Sequence, residues 1–274
     1  MRRRIERDVL SIIACDLSQF QIELSVLEKI KAYDEYTYLH SLNVAKLSVM
    51  LGERLELSKS MLVDLGWAAL LHDIGKLKVP LEVLNKLKKF TPEELSIMQS
   101  HPVESLTSFS ELEDIDLGKL RRLSAAFEHH QRFDLKGYPN VDKKLGLHPY
   151  SRIVAVADSF DAMTTDRIYQ RRLRPDMALR IMSKGYGCVF DPTVLQAFIT
   201  AMGVYPAKTV VRLSNDKLAV VLHYSEKAAL DRPTVQELDP PFAVVDLSER
   251  NEDIRILHSE SAEDHEEKLK SLKR

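Results

Sequence analysis

The residues predict a mainly helical chain that ends in a small β appendage. Three observations carry that reading. Up to Gly203, apolar residues recur at steps of three and four, the helical repeat. Cap residues followed by proline, as in "TPEE" and "FDPT", punctuate the same region. After Gly203 the pattern changes to short β-branched runs divided by polar turn residues.

Taken in order, residues 5–32 carry a stripe of Leu17, Phe20, Leu24 and Leu27. A second helix is predicted from about Tyr36 to Leu55, where His40, Val44, Leu47, Leu51 and Leu55 share a side, so His40 faces the core. "MLVDLGWAALLHDIGK" is apolar on nearly all sides, as a central helix would be. "TPEELSIMQSH" opens with a capping box of Thr91, Pro92 and Glu94, and its helix is expected to end at His101-Pro102. "LRRLSAAFEHH" ends in two adjacent histidines, and "QRFDLKGYPNVDKKLGLHP" after it is irregular. "SRIVAVADSFDAMTTDR" is helical and puts Val154, Asp158, Asp161 and Thr165 on one face. Asp191 and Pro192 open a last helix. "TVVRL-SNDK-LAVVLHY" then predicts a β-hairpin, with "PFAVVDL" and "DIRILH" as further strands. The domain plan is a helical segment over 1–32, a main domain over 33–203, a β appendage over 204–258 and a charged, irregular tail over 259–274.

Composition narrows the class. A chain of 274 residues with 45% hydrophobic and 29% charged residues can bury a core and stay soluble. A net charge of -2 and a pI near 6.5 argue against a nucleic-acid polymer or a membrane surface as partner. Cys15 and Cys188 form no disulfide framework, and the charges after "MRRR" interrupt any signal segment. No apolar run approaches the roughly 20 residues of a membrane span. The expectation is a cytoplasmic protein without internal repeats.

The chemistry lies in His40, His72, Asp73, His101, His129, His130 and Asp158, all at helix ends or inner faces. One histidine on an apolar face is ordinarily a hydrogen-bonded core residue. Seven such groups together are costly unless each has a partner, and a binuclear metal centre would supply them. Imidazole with carboxylate suits iron, manganese or zinc and excludes an all-oxygen calcium cage.

"HDIGK", "HHQRFDLKGYP", "ADSFDAMTTDRIY" and "GCVFDP" resemble, in order and spacing, the HD-GYP subgroup of the HD phosphohydrolase superfamily. The resemblance covers roughly residues 33–200, and "YPAKTVVRLSNDKLAVV" is similar to the β tail that often follows such domains. It implies an HD-type helical bundle that hydrolyses cyclic di-GMP, or a related cyclic dinucleotide, at iron or manganese. Carried over by position, the ligands would be His40, His72, Asp73, His101, His129, His130 and Asp158, with Asp73 bridging two ions. The position of a glutamate that holds a third ion in some members is Tyr36 here, so two ions are expected. Two-metal chemistry activates water and clamps the phosphoryl oxygens. Asp73 and Lys76 are thus the catalytic candidates. Gly75 would allow a tight turn and Lys76 would face the phosphate. Tyr138, between Gly137 and Pro139, offers a ring for stacking on guanine. Arg167 resembles a phosphate-binding arginine, and Arg171 is a further substrate contact.

The chain also departs from the pattern HHE-R-x-D-G-x-GYP. Gln131 replaces glutamate and would remove an anion beside the metals. Leu135 replaces glycine and would cost roughly 1–2 kcal/mol in a left-handed conformation. Gln170 replaces a basic residue, with Arg171 and Arg172 as compensating cations, and Ser105 stands where glycine is usual. Two alternatives therefore stay open: a weakly active relative that serves as a binding or protein-interaction module, and a nucleotidase acting on another phosphate ester. Control would come through a homodimer or a regulatory protein partner.

Overall fold

The computed structural model describes residues 21–110, 117–165, 172–225, 229, 231–248, 254–260 and 263–271. It divides into two compact units, Met1–Arg171 with Gly185–Ala197, and Arg172–Lys184 with Phe198–Arg274.

The first unit is helical. Its elements are α1 (Gln21–Tyr33), α2 (Glu35–Arg54), α3 (Lys59–Leu70), a 3-10 turn (Ile74–Lys78), α4 (Leu81–Leu84), α5 (Pro92–Gln99), α6 (His101–Ser110), α7 (Leu117–Glu128) and α8 (Pro149–Thr164). Asp34 caps α2 by accepting from the Thr37 amide at 2.8 Å, which starts the helix early enough to turn His40 inward. The α3 helix is central, with Leu62, Leu65, Trp67, Ala68, Ala69 and Leu70 all buried. It packs on α2 and α7, while α8 packs on α2. Val44, Val49, Leu51, Ala125, Ile153, Val154 and Ala157 fill the space between them. Leu17 and Phe20 of the first predicted stripe lie outside the described residues.

Two expectations are corrected here. The central helix stops at Leu70, so His72 and Asp73 sit in a turn and not on a helical face. The capping box forms as expected, with Thr91 and Glu94 bonded reciprocally. However, its helix ends at Gln99, and a separate helix starts at His101. Pro102 therefore opens a helix instead of closing one, because its missing N–H is no loss in a first turn.

The second unit contains α9 (Pro175–Ser183) and a five-stranded antiparallel sheet of order β4-β3-β2-β1-β5. Its strands are β1 (Val210–Leu213), β2 (Leu218–His223), β3 (Thr234–Glu237), β4 (Val244–Asp246) and β5 (Ile256–Glu260). The predicted hairpin forms, with Val210 opposite Val220. Side chains alternate as the pleat requires: Val211, Leu213, Ala219 and Val221 pack on one face, Val210, Leu218 and Val220 on the other. The α10 helix (Pro192–Met202) spans the boundary between the units. Asp191 caps it, accepting from the amides of Thr193 at 2.8 Å and Val194 at 3.2 Å.

Strand β3 has no counterpart in the sequence reading, because four residues are too few for alternation to register. The irregular tail is corrected too. Ser259 and Glu260 complete β5, and a short helix, α11 (Glu266–Ser271), follows. Leu269 packs on the Val210 face, and Lys268 donates to Asp239 at 2.9 Å. One apolar residue among charges suffices to dock the segment once a sheet face exists. No described helix is long and apolar enough to cross a membrane.

Candidate metal centre

His72 and Asp73 leave the buried end of α3, and the 3-10 turn then runs against the start of α6. Gly75 permits that approach. A Cβ there would lie 1.9 Å from the His101 carbonyl oxygen. Gly75 lies within the tight 3-10 turn without a positive φ, so glycine is needed there chiefly to let two backbones touch. Ser105, buried, donates to the same His101 carbonyl at 3.0 Å.

Three imidazoles are set alike. The Nδ1 atoms of His72 and His101 lie 2.7 Å from the carbonyls of Ala69 and Met98, and that of His129 lies 3.0 Å from the Ala126 carbonyl. A carbonyl only accepts, so each Nδ1 is the donor and each ring turns its Nε2 inward. Those of His101 and His129 face each other at 3.3 Å. They also stand 3.4 and 3.7 Å from Asp73 Oδ1. His72 Nε2 is 3.3 Å from Asp73 Oδ2. Both His72 Nε2 and Asp73 Oδ1 are fully buried without a hydrogen-bond partner. Lone pairs aimed at one another and at a carboxylate repel, and a cation between them removes the conflict.

His40 is held differently. Its Nε2 meets Asp158 Oδ1 at 3.0 Å, and its Nδ1 meets Asp161 Oδ2 at 2.7 Å. Asp161 in turn accepts from the Thr165 hydroxyl at 3.0 Å. The ring of Tyr36 lies parallel to that of His40, with centroids 6.3 Å apart. Donor atoms fall into two groups able to hold an ion, one of Asp73, His101, His129 and His130 and one of His40, His72 and Asp73, with Asp73 common to both.

Electrostatics follow burial and charge. Burial lowers His101 to about 3 and His130 to about 4, and it holds His129 well below the ordinary histidine range. Burial also opposes charge on His40, but its bonds to Asp158 and Asp161, with the charges of Asp158 and Asp73, raise it to about 9. For Asp73 burial is outweighed by His72 and Lys76, and for Asp158 by His40, so both carboxyls sit well below their usual range. Lys76 Nζ bonds Asp73 Oδ2 at 2.6 Å.

These shifts fix a pH dependence for the metal-free protein. Unfolded histidine titrates near 6.5, so from there down toward 4 the unfolded chain binds more protons than the native one. The stability contributed by His101, His129 and His130 is therefore present above that value and lost on acidification. His40 acts oppositely: its contribution is present below 6.5 and is lost as pH rises toward 9. Calorimetry of the chelated protein should find the thermal midpoint highest near pH 6.5. A midpoint that climbs steadily into acid would contradict the buried neutral imidazoles.

The loop after His130 is closed from within. Gln131 is buried, and its amide nitrogen donates to the Pro139 carbonyl at 2.6 Å. Its amide oxygen accepts from the backbone N–H groups of Gly137 at 2.6 Å and Arg132 at 3.1 Å. Gln131 thus spends both polar atoms on loop backbone. Gln131, neutral where a glutamate would be charged, is also a clamp on this loop. Leu135 adopts a φ of 59°, the left-handed conformation anticipated for that position. Tyr138 stacks on His130, with centroids 4.8 Å apart and planes 28° from parallel. A carboxylate at 131 cannot donate to Pro139, so Gln131→Glu should destabilise the protein by about 1–3 kcal/mol in urea titration. An unchanged midpoint would show the clamp to be dispensable.

A family model described as HD domain matches residues 9–194, more than half of the chain. The chain belongs to the HD-domain family. Among curated relatives, this HD-domain chain is 34% identical over 263 residues to a cyclic di-GMP phosphodiesterase of Pseudomonas aeruginosa, covering 93% of the chain and 62% of that protein. It is 35% identical over 179 residues to a cyclic di-GMP phosphodiesterase of Thermotoga maritima, covering 64% of the chain and 48% of that protein. The chain thus spans between about half and two thirds of these relatives' lengths. Its fold is similar to that of an HDG"Y"P protein from Bdellovibrio bacteriovorus, with a TM-score of 0.51, 20% identity, and coverage of 70% of this chain and 60% of that one. The helical HD-type architecture with a C-terminal sheet is therefore observed, and the HD-GYP-type resemblance stands.

Within this HD-domain unit, His40, His72, His101, His129 and His130 are gathered around Asp73, Asp158 joins through His40 at 3.0 Å and His72 at 4.0 Å, and Lys76 borders them. Tyr138 joins them through His130. Arg167, Gln170 and Arg171 lie outside the described residues. Asp161 was missed as a member of the site. Its signal was its place on the Asp158 face, but only a contact 121 residues back in the chain, at His40, gives that placement meaning.

Proposed function

We propose that this HD-domain chain is a cytoplasmic, metal-dependent phosphodiesterase that hydrolyses cyclic di-GMP to a linear dinucleotide, with GMP as the product of any second cleavage. One observation carries the reading: buried Nε2 lone pairs of His72, His101 and His129 converge on both oxygens of one buried carboxylate. Asp73 would bridge two ions, iron or manganese, held further by His40, His72 and Asp158 and by His101, His129 and His130. Bound there, such ions supply Lewis-acid activation of the phosphoryl group and of the attacking water.

The chain's own residues do the rest. Asp73 fixes the separation of the two donor groups through its two oxygens. Burial keeps His101, His129 and His130 neutral, so that at neutral pH no proton need leave them before a cation binds, while the carbonyls of Met98 and Ala126 fix Nδ1 as the donor nitrogen of His101 and His129. Lys76, about a fifth exposed at the edge of the cluster, is placed to meet a phosphoryl oxygen. Tyr138 offers a wall for a purine against His130. Cyclic di-GMP phosphodiesterases among the relatives favour this substrate class.

The deciding experiment loads the protein anaerobically with iron or manganese, measures bound metal, and follows turnover of cyclic di-GMP and cyclic GMP–AMP on the same sample. About two ions per chain with a linear product is the expected result. Full metal with no cleavage of either dinucleotide would refute it and leave a binding module in its place.

A further inference from the structure

We infer that the two halves of the centre are unequal and fill in order, and that Asp161 is the positioning residue that makes the His40 half the tighter one. The inference rests on the metal-dependent reading above. It starts from how each histidine is backed. His72, His101 and His129 lean on main-chain carbonyls, which are neutral. His40 leans instead on a carboxylate, at 2.7 Å, and Asp161 is itself buried and pinned by Thr165. A carboxylate behind an imidazole fixes the ring and makes it a stronger donor.

Charge points the same way. Around His40 Nε2 stand Asp158 at 3.0 Å and Asp73 Oδ2 at 3.9 Å, with Asp161 behind. Lys76 offsets one of these charges through Asp73 Oδ2. The other donor group gathers three imidazoles around the single shared carboxylate. A first dication therefore gains more in the His40 half once the proton that His40 Nε2 shares with Asp158 has left, so the two halves are compared at a pH where that proton is gone. A second one, entering the imidazole-rich half, meets the first across Asp73 with less negative charge to offset it.

Titration of metal-free full-length protein with Mn(II), followed by electron paramagnetic resonance of the unbound ion, tests this directly. The native protein should bind in two resolved steps. Asp161→Asn keeps the side-chain size and removes the charge. It should weaken the tighter step by about 10–100-fold and leave the weaker step nearly unmoved. His101→Ala should remove the weaker step and spare the tighter one. Should Asp161→Asn fail to fold by circular dichroism, Thr165→Val, which only releases Asp161, should weaken the tighter step several-fold. Two equivalent ions in the native protein, or an Asp161→Asn variant that weakens both steps alike or neither, would overturn the inference while sparing the proposed function. A native protein that binds no metal would overturn both.

Discussion

An Asp73→Ala variant is expected to lose both ions together, falling from about two per chain to less than half of one when prepared anaerobically with iron or manganese. The size of the effect follows from geometry. Asp73 Oδ1 lies 3.4 and 3.7 Å from the Nε2 atoms of His101 and His129, while Oδ2 lies 3.3 and 3.9 Å from those of His72 and His40. Both donor groups include this residue, so neither is complete without it. An alanine there also leaves Lys76 facing the imidazoles with no carboxylate between. Metal analysis beside circular dichroism of the same sample checks the outcome. A folded variant that still holds two ions would mean that Asp73 is not the bridge.

Lys76→Ala should lower kcat by about 100-fold, equivalent to about 2.7 kcal/mol of lost transition-state stabilisation. KM and metal content should hold. Among the described residues, Lys76 is a cation at the edge of the cluster whose side chain is also partly open to solvent, with Nζ 2.6 Å from Asp73 Oδ2. Charge that develops on a phosphoryl group beside the metals would fall within its reach. Two roles can be separated by the same measurement. If Lys76 acts on substrate, turnover drops in fully loaded enzyme. If it acts only by steadying Asp73, the variant loses metal and regains turnover at high metal concentration. Unchanged turnover at full loading would show that Lys76 takes no part in the chemistry.

Much of the centre was legible in the sequence because ligand chemistry is carried by residue type and local spacing. Adjacent pairs such as His72-Asp73 and His129-His130 at the ends of apolar runs identify themselves without a partner in view. So do the caps at Thr91 and Asp191, since a cap is a contact with the next two or three residues. Where the reading was incomplete, the decisive contact was distant. Gly75 reads as a turn glycine and sits in a 3-10 turn, but its second requirement, the close carbonyl of His101, lies on another helix. Gln131 reads as the loss of an anion, and its amide also closes a loop ending eight residues later. The tail looked irregular from its charge, and a sheet face with room for Leu269 ordered it.

By itself, then, the sequence determined the helical class, the β appendage and the family resemblance, and it named seven candidate donors, because periodicity, caps and side-chain chemistry are local properties. Only the tertiary structure decided which ring nitrogens face inward, that His40 is backed by a carboxylate while three other histidines are backed by carbonyls, and that Asp73 stands between the two groups. Those facts depend on which residues distant in the chain are packed within hydrogen-bond reach. No spacing along the sequence encodes that; the buried core does, by leaving each polar atom a single direction in which to find a partner.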